Sequence, residues 1–281
     1  MSRARWTTLA QAVSTIPDGA FIAPGGFMLG RAPMALVFEL IRQQRTGLGI
    51  ISLPNPLPAE LLVAAGAAAK VEFLFSALTL DGRLWPMPRL KRAIEAGTIA
   101  WAEHDGYRVV QRLRAAALGL PFLPVPGDGD TDLADLDPLA TVTDPWTGAS
   151  VPVERAMSPD VALIHAQAAD DHGNLWIADP TTDLLVAGAA RRVIATVEQR
   201  VARLPGPATI PGFTVASVVE EPRGAFPTGC AELYHPDEAH LIRYLRAARD
   251  GAAERYLERF VHATTHQAQV ASLPVAVETA A

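Results

Sequence analysis

Short apolar runs alternate along the chain with stretches whose apolar residues recur at helical period, the pattern of strands followed by helices. Residues 6–13 read as an opening helix and residues 19–23 as the first strand. From Met34, the residues Leu36, Val37, Leu40 and Ile41 line one helix face. Pro33 stands in that helix's first turn, where its missing N–H costs little. Residues 48–53 form a β-rich run ending in Pro54-Asn55-Pro56-Leu57-Pro58, and a helix is expected from Ala59. The continuous apolar run 71–75 suits a strand buried on both faces of a parallel sheet. Residues 90–95 and 107–118 read as helices closed by Gly97 and Gly119, with a strand at 99–102 between them. The second half continues with strands at 161–165 and 193–197, a tight turn at Asp170-Asp171-His172-Gly173-Asn174 and a helix at 184–190. A last amphipathic helix runs from Asp237 towards Phe260, with a break at Gly251. This alternation implies an α/β fold with an open, mostly parallel sheet and helices on both faces, whose ligands sit outside the carboxyl ends of the strands. With no repeat and no linker, residues 1–281 are expected to form a single domain with a loosely held tail from about residue 265.

Composition narrows the partners. The chain is 49% hydrophobic, enough for a full core, and carries a formal charge of −6 from 24 basic and 30 acidic residues. No basic cluster of the kind nucleic acid or an anionic membrane requires is present, so neither is an expected partner. No apolar run approaches the ~20 residues of a membrane span, and Met1-Ser2-Arg3-Ala4-Arg5 is not followed by a signal-peptide core. The lone Cys230 excludes an internal disulfide framework and a cysteine-based structural zinc site, and it fits a reducing cytoplasm.

The candidate chemistry begins where the first strand empties into Pro24-Gly25-Gly26-Phe27-Met28-Leu29-Gly30-Arg31. Adjacent glycines let the backbone approach a ligand without a Cβ in the way, and free N–H groups of such a loop can hold an oxyanion or a phosphate. Glu103 follows the strand at 99–102 at its carboxyl end; it reads either as a substrate-side acid or as a loop carboxylate satisfied by backbone N–H groups. Residues 127–145 contain Asp128, Asp130, Asp132, Asp135 and Asp137. An EF-hand loop needs glycine and glutamate where Leu133 and Leu139 stand, so a solvated, mobile loop is expected and not a calcium site. His165, inside an apolar strand, reads as a hydrogen-bonded core histidine. His262 and His266 have metal-ligand spacing, but Ala263 stands where a zinc protease needs glutamate and no third ligand is evident, so no metal is expected. Cys230 reads as a small buried filler.

Several of these segments resemble one family. Asp18-Gly19 before an apolar strand, then Gly25-Gly26-Phe27 and Pro33, is similar to the N-terminal signature of family I CoA-transferases, on the subunit usually called alpha. Leu118-Gly119-Leu120-Pro121-Phe122-Leu123-Pro124 looks like their Gly-hydrophobic-Pro-Phe-x-Pro segment. Asp160 to Gln167 with Asp170 and Gly173-Asn174 is similar to their central strand and turn, and Gly224-Ala225-Phe226-Pro227-Thr228 with Tyr234 and Asp237 to their closing segment. Order and spacing agree from about Asp18 to about Leu245. Pro24 departs from the family's usual aliphatic residue, and Arg31 from its usual glycine.

The resemblance implies a CoA-transferase-like (NagB/RpiA-like) fold, with a coenzyme A thioester as substrate and no bound cofactor. Family I enzymes move CoA between carboxylic acids through a glutamate that attacks the acyl-CoA carbonyl, giving an anhydride and then a glutamyl-CoA thioester. That glutamate normally lies in a Ser-Glu-Asn-Gly stretch of a beta subunit, and no such stretch occurs here. A beta-subunit partner, in an αβ or α2β2 assembly, is therefore implied. In this chain the resemblance implies that the N–H groups of Gly26 and Phe27 stabilise the oxyanion, at ~3 kcal/mol per well-aimed donor. It also implies that Gly25 and Gly30 lie against substrate or CoA. Arg31 reads either as a residue facing an acidic substrate or the CoA phosphates, or as a solvated arginine near a helix start. Alpha subunits of the glutaconate-transferase type often carry a glutamate at the place of Glu103, and in a branch that opens steroid-derived rings by hydrolysis it takes over from the partner's glutamate. Glu198 matches a common apolar-Thr-Val-Glu segment with structural or interface roles. The expected function is the alpha subunit of a heteromeric acyl-CoA:carboxylate CoA-transferase. The alternatives are a ring-opening CoA-thioester hydrolase using Glu103 and a non-catalytic scaffold subunit. A dinucleotide-binding reading fails because the glycines lack Gly-x-Gly-x-x-Gly spacing.

Overall fold

The computed structural model describes residues 5–127 and 138–271. The chain opens with β1 (Arg5–Trp6) and α1 (Leu9–Ser14), then β2 (Phe21–Pro24), α2 (Met34–Arg42), β3 (Leu48–Ser52), α3 (Pro56–Ala64) and β4 (Ala68–Phe73). A hairpin of β5 (Ala77–Leu80) and β6 (Arg83–Pro86) leads to α4 (Pro88–Glu95), β7 (Ala100–Glu103) and α5 (Gly106–Ala117). A small antiparallel sheet of β8 (Phe122–Pro124), β9 (Ala140–Thr143) and β10 (Ser150–Arg155) follows. The chain then returns to the main sheet with β11 (Val161–Asp170), the short β12 (Leu175–Trp176), α6 (Asp183–Ala189), β13 (Val193–Val201) and β14 (Val215–Glu220). Helices α7 (Glu238–Arg249), α8 (Ala253–Leu257) and α9 (His266–Ala271) close it.

The main sheet runs β1-β14-β13-β11-β2-β3-β4-β7, with every neighbouring pair parallel; β12 adds an antiparallel strand to β11. One core packs α2, α3, α4, α7 and α8 on one face, around Phe38, Leu40, Leu61 and Tyr244. The other packs α5 and α6 around Val109, Leu113 and Val186. The α/β fold with a mostly parallel sheet and helices on both faces is thus what the chain adopts. Its strand order reverses between β2 and β11: from β2 the chain builds outward to β7, then returns beside β2 and builds the other way. Ligands of such sheets sit at that point, beyond the carboxyl ends of the strands.

Local chemistry explains where elements begin and end. Thr8 and Gln11 form a reciprocal capping box, so α1 starts at Leu9, while Trp6 pairs with Val218 of β14 and makes β1 the edge of the sheet; the opening helix expected over 6–13 gives way to a strand and a shorter helix. Helix α3 begins at Pro56, three residues ahead of expectation, because proline is tolerated in a first turn. Asp105 accepts from the amides of Tyr107 and Arg108 and caps α5. The β5–β6 hairpin turns on Asp81 and Gly82, at φ +47° and +66°, a turn signal the periodicity reading passes over. Part of the expected 127–145 loop, residues 140–143, is strand β9; residues 128–137, with the aspartate run, lie outside the described residues. The tail expected from about residue 265 begins with His266, which is buried and hydrogen-bonded to the Arg223 carbonyl at 3.0 Å.

Candidate active site at the strand-order switch

The segment from Gly25 to Arg31 lies at the switch, and all but one of its amides are already committed. Gly25 N–H donates to Leu163 O at 2.8 Å, Met28 N–H to Pro54 O at 2.6 Å, Gly30 N–H to Phe27 O at 2.7 Å and Arg31 N–H to Gly229 O at 2.7 Å. The two expected oxyanion donors are occupied as well: Gly26 N–H donates to Asp183 Oδ1 at 3.0 Å and Phe27 N–H to Gly30 O at 2.9 Å. In this chain the loop does hold negative charge at Gly26, but the charge is the protein's own carboxylate. Leu29, at the tip of the turn, is the one residue of this segment whose N–H makes no hydrogen bond within the described structure. The glycines are required by space. A Cβ on Gly26, at φ +78°, would stand 2.5 Å from Gly30 O, and one on Gly25 would stand 2.7 Å from the Ile164 side chain and 2.8 Å from Asp183.

Arg31 corrects a second expectation. It is 1% exposed, so it is not a solvated arginine, and its guanidinium is turned to the protein's own carboxylates. Its guanidinium donates to both oxygens of Asp183 at 2.9 Å, to Asp179 Oδ1 at 2.7 Å and to Asp179 O at 2.7 Å. Burial, the largest influence, works against the arginine's charge, yet Asp183 and Asp179 more than offset it and its pKa lies above the ordinary value. Asp183 shows the converse: burial would raise it, but Arg31 and the amides of Thr181 and Gly26 hold it below the carboxylate range. Arg31 also sits at φ +54°, a conformation natural to glycine. The ion pair keeps an arginine where the family usually has glycine.

A second cluster lies next to this pair, on β11 and β13. His165 Nε2 lies 2.7 Å from Glu198 Oε1 and its Nδ1 2.9 Å from Thr196 Oγ1. Tyr234 OH donates to Glu198 Oε1 at 2.6 Å, and Arg223 N–H donates to Glu198 Oε2 at 2.7 Å. Burial, the largest influence on Glu198, would raise its pKa, but His165, Tyr234 and the Arg223 amide together hold it low. The Tyr234 phenol is pushed up by burial and by Glu198, so it stays a proton donor. Cys230 is fully buried, as expected, and its thiol is pushed up by burial and Glu198. The ligand atoms of His165, Glu198 and Cys230 lie within 4.8 Å of one another. With imidazole and carboxylate bonded directly and the thiol kept neutral, the group is a hydrogen-bond network and a poor metal site.

Residues 6–221 match the Coenzyme A transferase family. The alpha-type chain of glutaconate CoA-transferase from Acidaminococcus fermentans is 30% identical over 267 residues, covering 86% of this chain and 82% of that protein. The chain is an alpha subunit of the coenzyme A transferase family. The glutaconate CoA-transferase crystal structure, 27% identical, superposes with a TM-score of 0.87 over 97% of this chain and 93% of the other. The cholesterol ring-cleaving hydrolase IpdA subunit of Rhodococcus jostii is 34% identical over 258 residues, 86% of each chain. An Archaeoglobus fulgidus protein, also 34% identical, is longer: the alpha subunit covers 58% of it. The crystal structure of the decarboxylase AibA/AibB, in a cysteine-to-serine variant, contains a chain 62% identical to this one, with a TM-score of 0.89 over 92% of this chain and 98% of that one.

Within the alpha subunit, Glu103 stands apart from both clusters. It is exposed at the carboxyl end of the edge strand β7, three strand spacings or roughly 14 Å from β2. The buried acid of that edge is Glu72, which His104 meets at 2.8 Å and Lys70 at 2.8 Å; burial would raise it, but these partners hold it at about 2. Sequence reasoning did not find Asp183 or Asp179, and it named Tyr234 only as part of the closing segment, with no role. Their signal is spatial, since each meets its partner across long stretches of chain.

Proposed function

We propose that the chain is the alpha subunit of a heteromeric enzyme that decarboxylates an acyl-CoA. The observation that carries this reading is the 62% identity, across nearly the whole of both chains, to a chain of the AibA/AibB decarboxylase, against 27–34% to the transferase and hydrolase relatives. The fitting substrate is a CoA thioester with a second carboxylate on a carbon whose carbanion is conjugated with the thioester carbonyl. The C–C bond to that carboxylate breaks, CO2 leaves, the electron pair moves to the carbonyl oxygen as an enolate, and a proton is delivered to carbon. Tyr234, half-buried and bonded to Glu198, is the group of this chain we assign to hold that proton. Phe27, Phe75, Leu184 and Leu233, each at least 40% exposed, leave apolar surface for a beta subunit to cover. Glu103 is open to the same partner or to substrate. We place the enzyme in the cytoplasm, acting as one domain, with coenzyme A arriving only as substrate.

The second reading is CoA transfer between carboxylates, which the family match and the glutaconate CoA-transferase structure favour. Co-expression with a beta subunit, followed by incubation with a panel of acyl-CoAs including glutaconyl-CoA, with and without acetate, separates the outcomes. CO2 released with the thioester intact and without acetate supports decarboxylation. A new thioester formed only with acetate overturns it in favour of transfer, and free CoA or a ring-opened product overturns it in favour of hydrolysis. No turnover of any kind leaves the scaffold reading.

A further inference from the structure

Two arginines in the loops beyond the carboxyl ends of the sheet stand where the backbone favours glycine. Arg31, at φ +54°, is held there by its ion pairs with Asp179 and Asp183. Arg223 is the other, at φ +58°. It follows the end of β14 in a turn that Gly224 N–H closes onto Glu221 O at 3.0 Å. Pro222 leads that turn, and Arg223 fills its third position, where a positive φ is ordinarily met by glycine. A larger residue held in this region is strained, and such residues gather at functional sites. The backbone bonds of Arg223 do not explain it, since glycine would make them equally well. Its N–H donates to Glu198 Oε2 at 2.7 Å, and its carbonyl accepts from His266 Nε2 at 3.0 Å and from Phe226 N–H at 2.9 Å. The reason for an arginine lies in its side chain.

That side chain carries a charge that no carboxylate among the described residues pairs with. Arg42, not Arg223, is the cation that opposes the raised pKa of Glu221. The guanidinium carbon of Arg223 lies 4.9 Å from the centre of the Tyr234 ring, on which it stacks. Its Nε is closed to solvent without a partner, whereas the two terminal nitrogens bond nothing in the protein and are open. The loop carrying Tyr234 is tied to the glycine loop, because Gly229 N–H donates to Leu29 O at 2.8 Å and Arg31 N–H to Gly229 O at 2.7 Å. An open guanidinium therefore rests on the residue assigned to hold the proton. Two free terminal nitrogens form a planar fork that matches the two oxygens of one carboxylate, while the flat face stays on the ring. The diphosphate of coenzyme A fits less well, since it carries more charge than one guanidinium offsets and the ionised Glu198 meets the amide of the same arginine. We propose that Arg223 is a specificity-determining residue that takes the second carboxylate of the acyl group. The inference rests on the substrate class proposed above, a CoA thioester of a dicarboxylic acid. Bound there, the carboxylate has a fixed direction, and the carbon that bears it lies beside Tyr234.

The complex with its beta subunit is titrated in a calorimeter with S-carboxybutyl-CoA and S-butyl-CoA. These thioethers lack the reacting carbonyl and differ by one carboxylate, so their affinity ratio is the same whichever reaction the enzyme catalyses. A complex that fails to release CO2 from acyl-CoAs thus sinks the decarboxylase reading without touching this one. The expected result is binding of S-carboxybutyl-CoA at least about tenfold tighter than S-butyl-CoA. Arg223→Gly, which suits the turn and keeps its backbone bonds, should bring the two affinities together by weakening S-carboxybutyl-CoA alone. Arg223→Lys, which keeps the charge and loses the fork, should fall between. Thermal melting checks that the variants fold, and Arg223→Gln carries the same comparison should Arg223→Gly not. No preference in the wild type, a preference that survives in folded Arg223→Gly, or an equal loss for both thioethers overturns the proposal. The last result would assign Arg223 to the CoA phosphates or to the support of Tyr234. Binding of neither thioether overturns the proposal together with the reading of the site as one for CoA thioesters.

Discussion

Asp183 and Glu221 are both buried carboxylates near the carboxyl ends of the sheet, and their surroundings drive them to opposite states. Asp183 receives two guanidinium contacts from Arg31 and the amides of Gly26 and Thr181, and it is held charged. Glu221 has an unpartnered oxygen; burial raises it to about 7, with Arg42 opposing and Glu39 and Glu198 adding to the rise. Burial is common to both, so the donors decide. The switch point is thus a fixed ion pair that clamps a glycine loop, whereas Glu221, just after β14, is a buried carboxyl that gains and loses a proton near neutral pH.

Breaking the clamp should have the largest effect. Asp183→Leu strands the Arg31 charge in the interior and should cost ~3–5 kcal/mol in chemical denaturation; a loss near zero would mean that Arg31 finds another partner. Gly26→Ala keeps the ion pair but forces a Cβ into the φ +78° turn against Gly30 O. It should cost about 3 kcal/mol by the same measurement.

The Glu221 side predicts a pH effect. Because its folded pKa is raised from 4.5 to about 7, the folded state binds a proton that the unfolded state releases, so Glu221 lowers stability progressively as pH rises from 4.5 to about 7. Glu221→Gln should flatten that part of the stability-pH curve, and an unchanged slope would place the titration elsewhere. The smallest effect is expected at Glu103. Exposed on an edge strand, Glu103→Gln should change stability by less than ~0.5 kcal/mol. Its turnover in the complex then separates a reaction that needs this acid from one that does not.

The sheet and its helices were legible because strands such as residues 71–73 and helix α2 carry their periodicity locally. The glycine loop was legible too, down to the need for Gly25 and Gly26, since backbone room is a property of residue type. What its amides bond was not. Gly26 finds Asp183 157 residues away, and Arg31 finds it 152 away, distances at which a sequence pattern carries no geometry. The same limit hid the role of Trp6, whose strand pairs with β14, and Tyr234, which reaches Glu198 across a loop. The β5–β6 turn is different: Asp81-Gly82 announces a hairpin in sequence, but the expectation of uninterrupted βα alternation masks it.

The seam between β2 and β11 also sets an order of events during synthesis. Strands β2, β3, β4 and β7 are complete by residue 103, yet the Phe21 amide waits for Asp160, 139 residues later, and β1 waits for β14. Until β11 leaves the ribosome, the nascent half-sheet carries an open parallel edge at β2, a template for another chain. Such long-range closure slows folding and leaves an incomplete chain exposed to aggregation. The seam that forms the crevice is then also where a truncated chain would adhere to its neighbours.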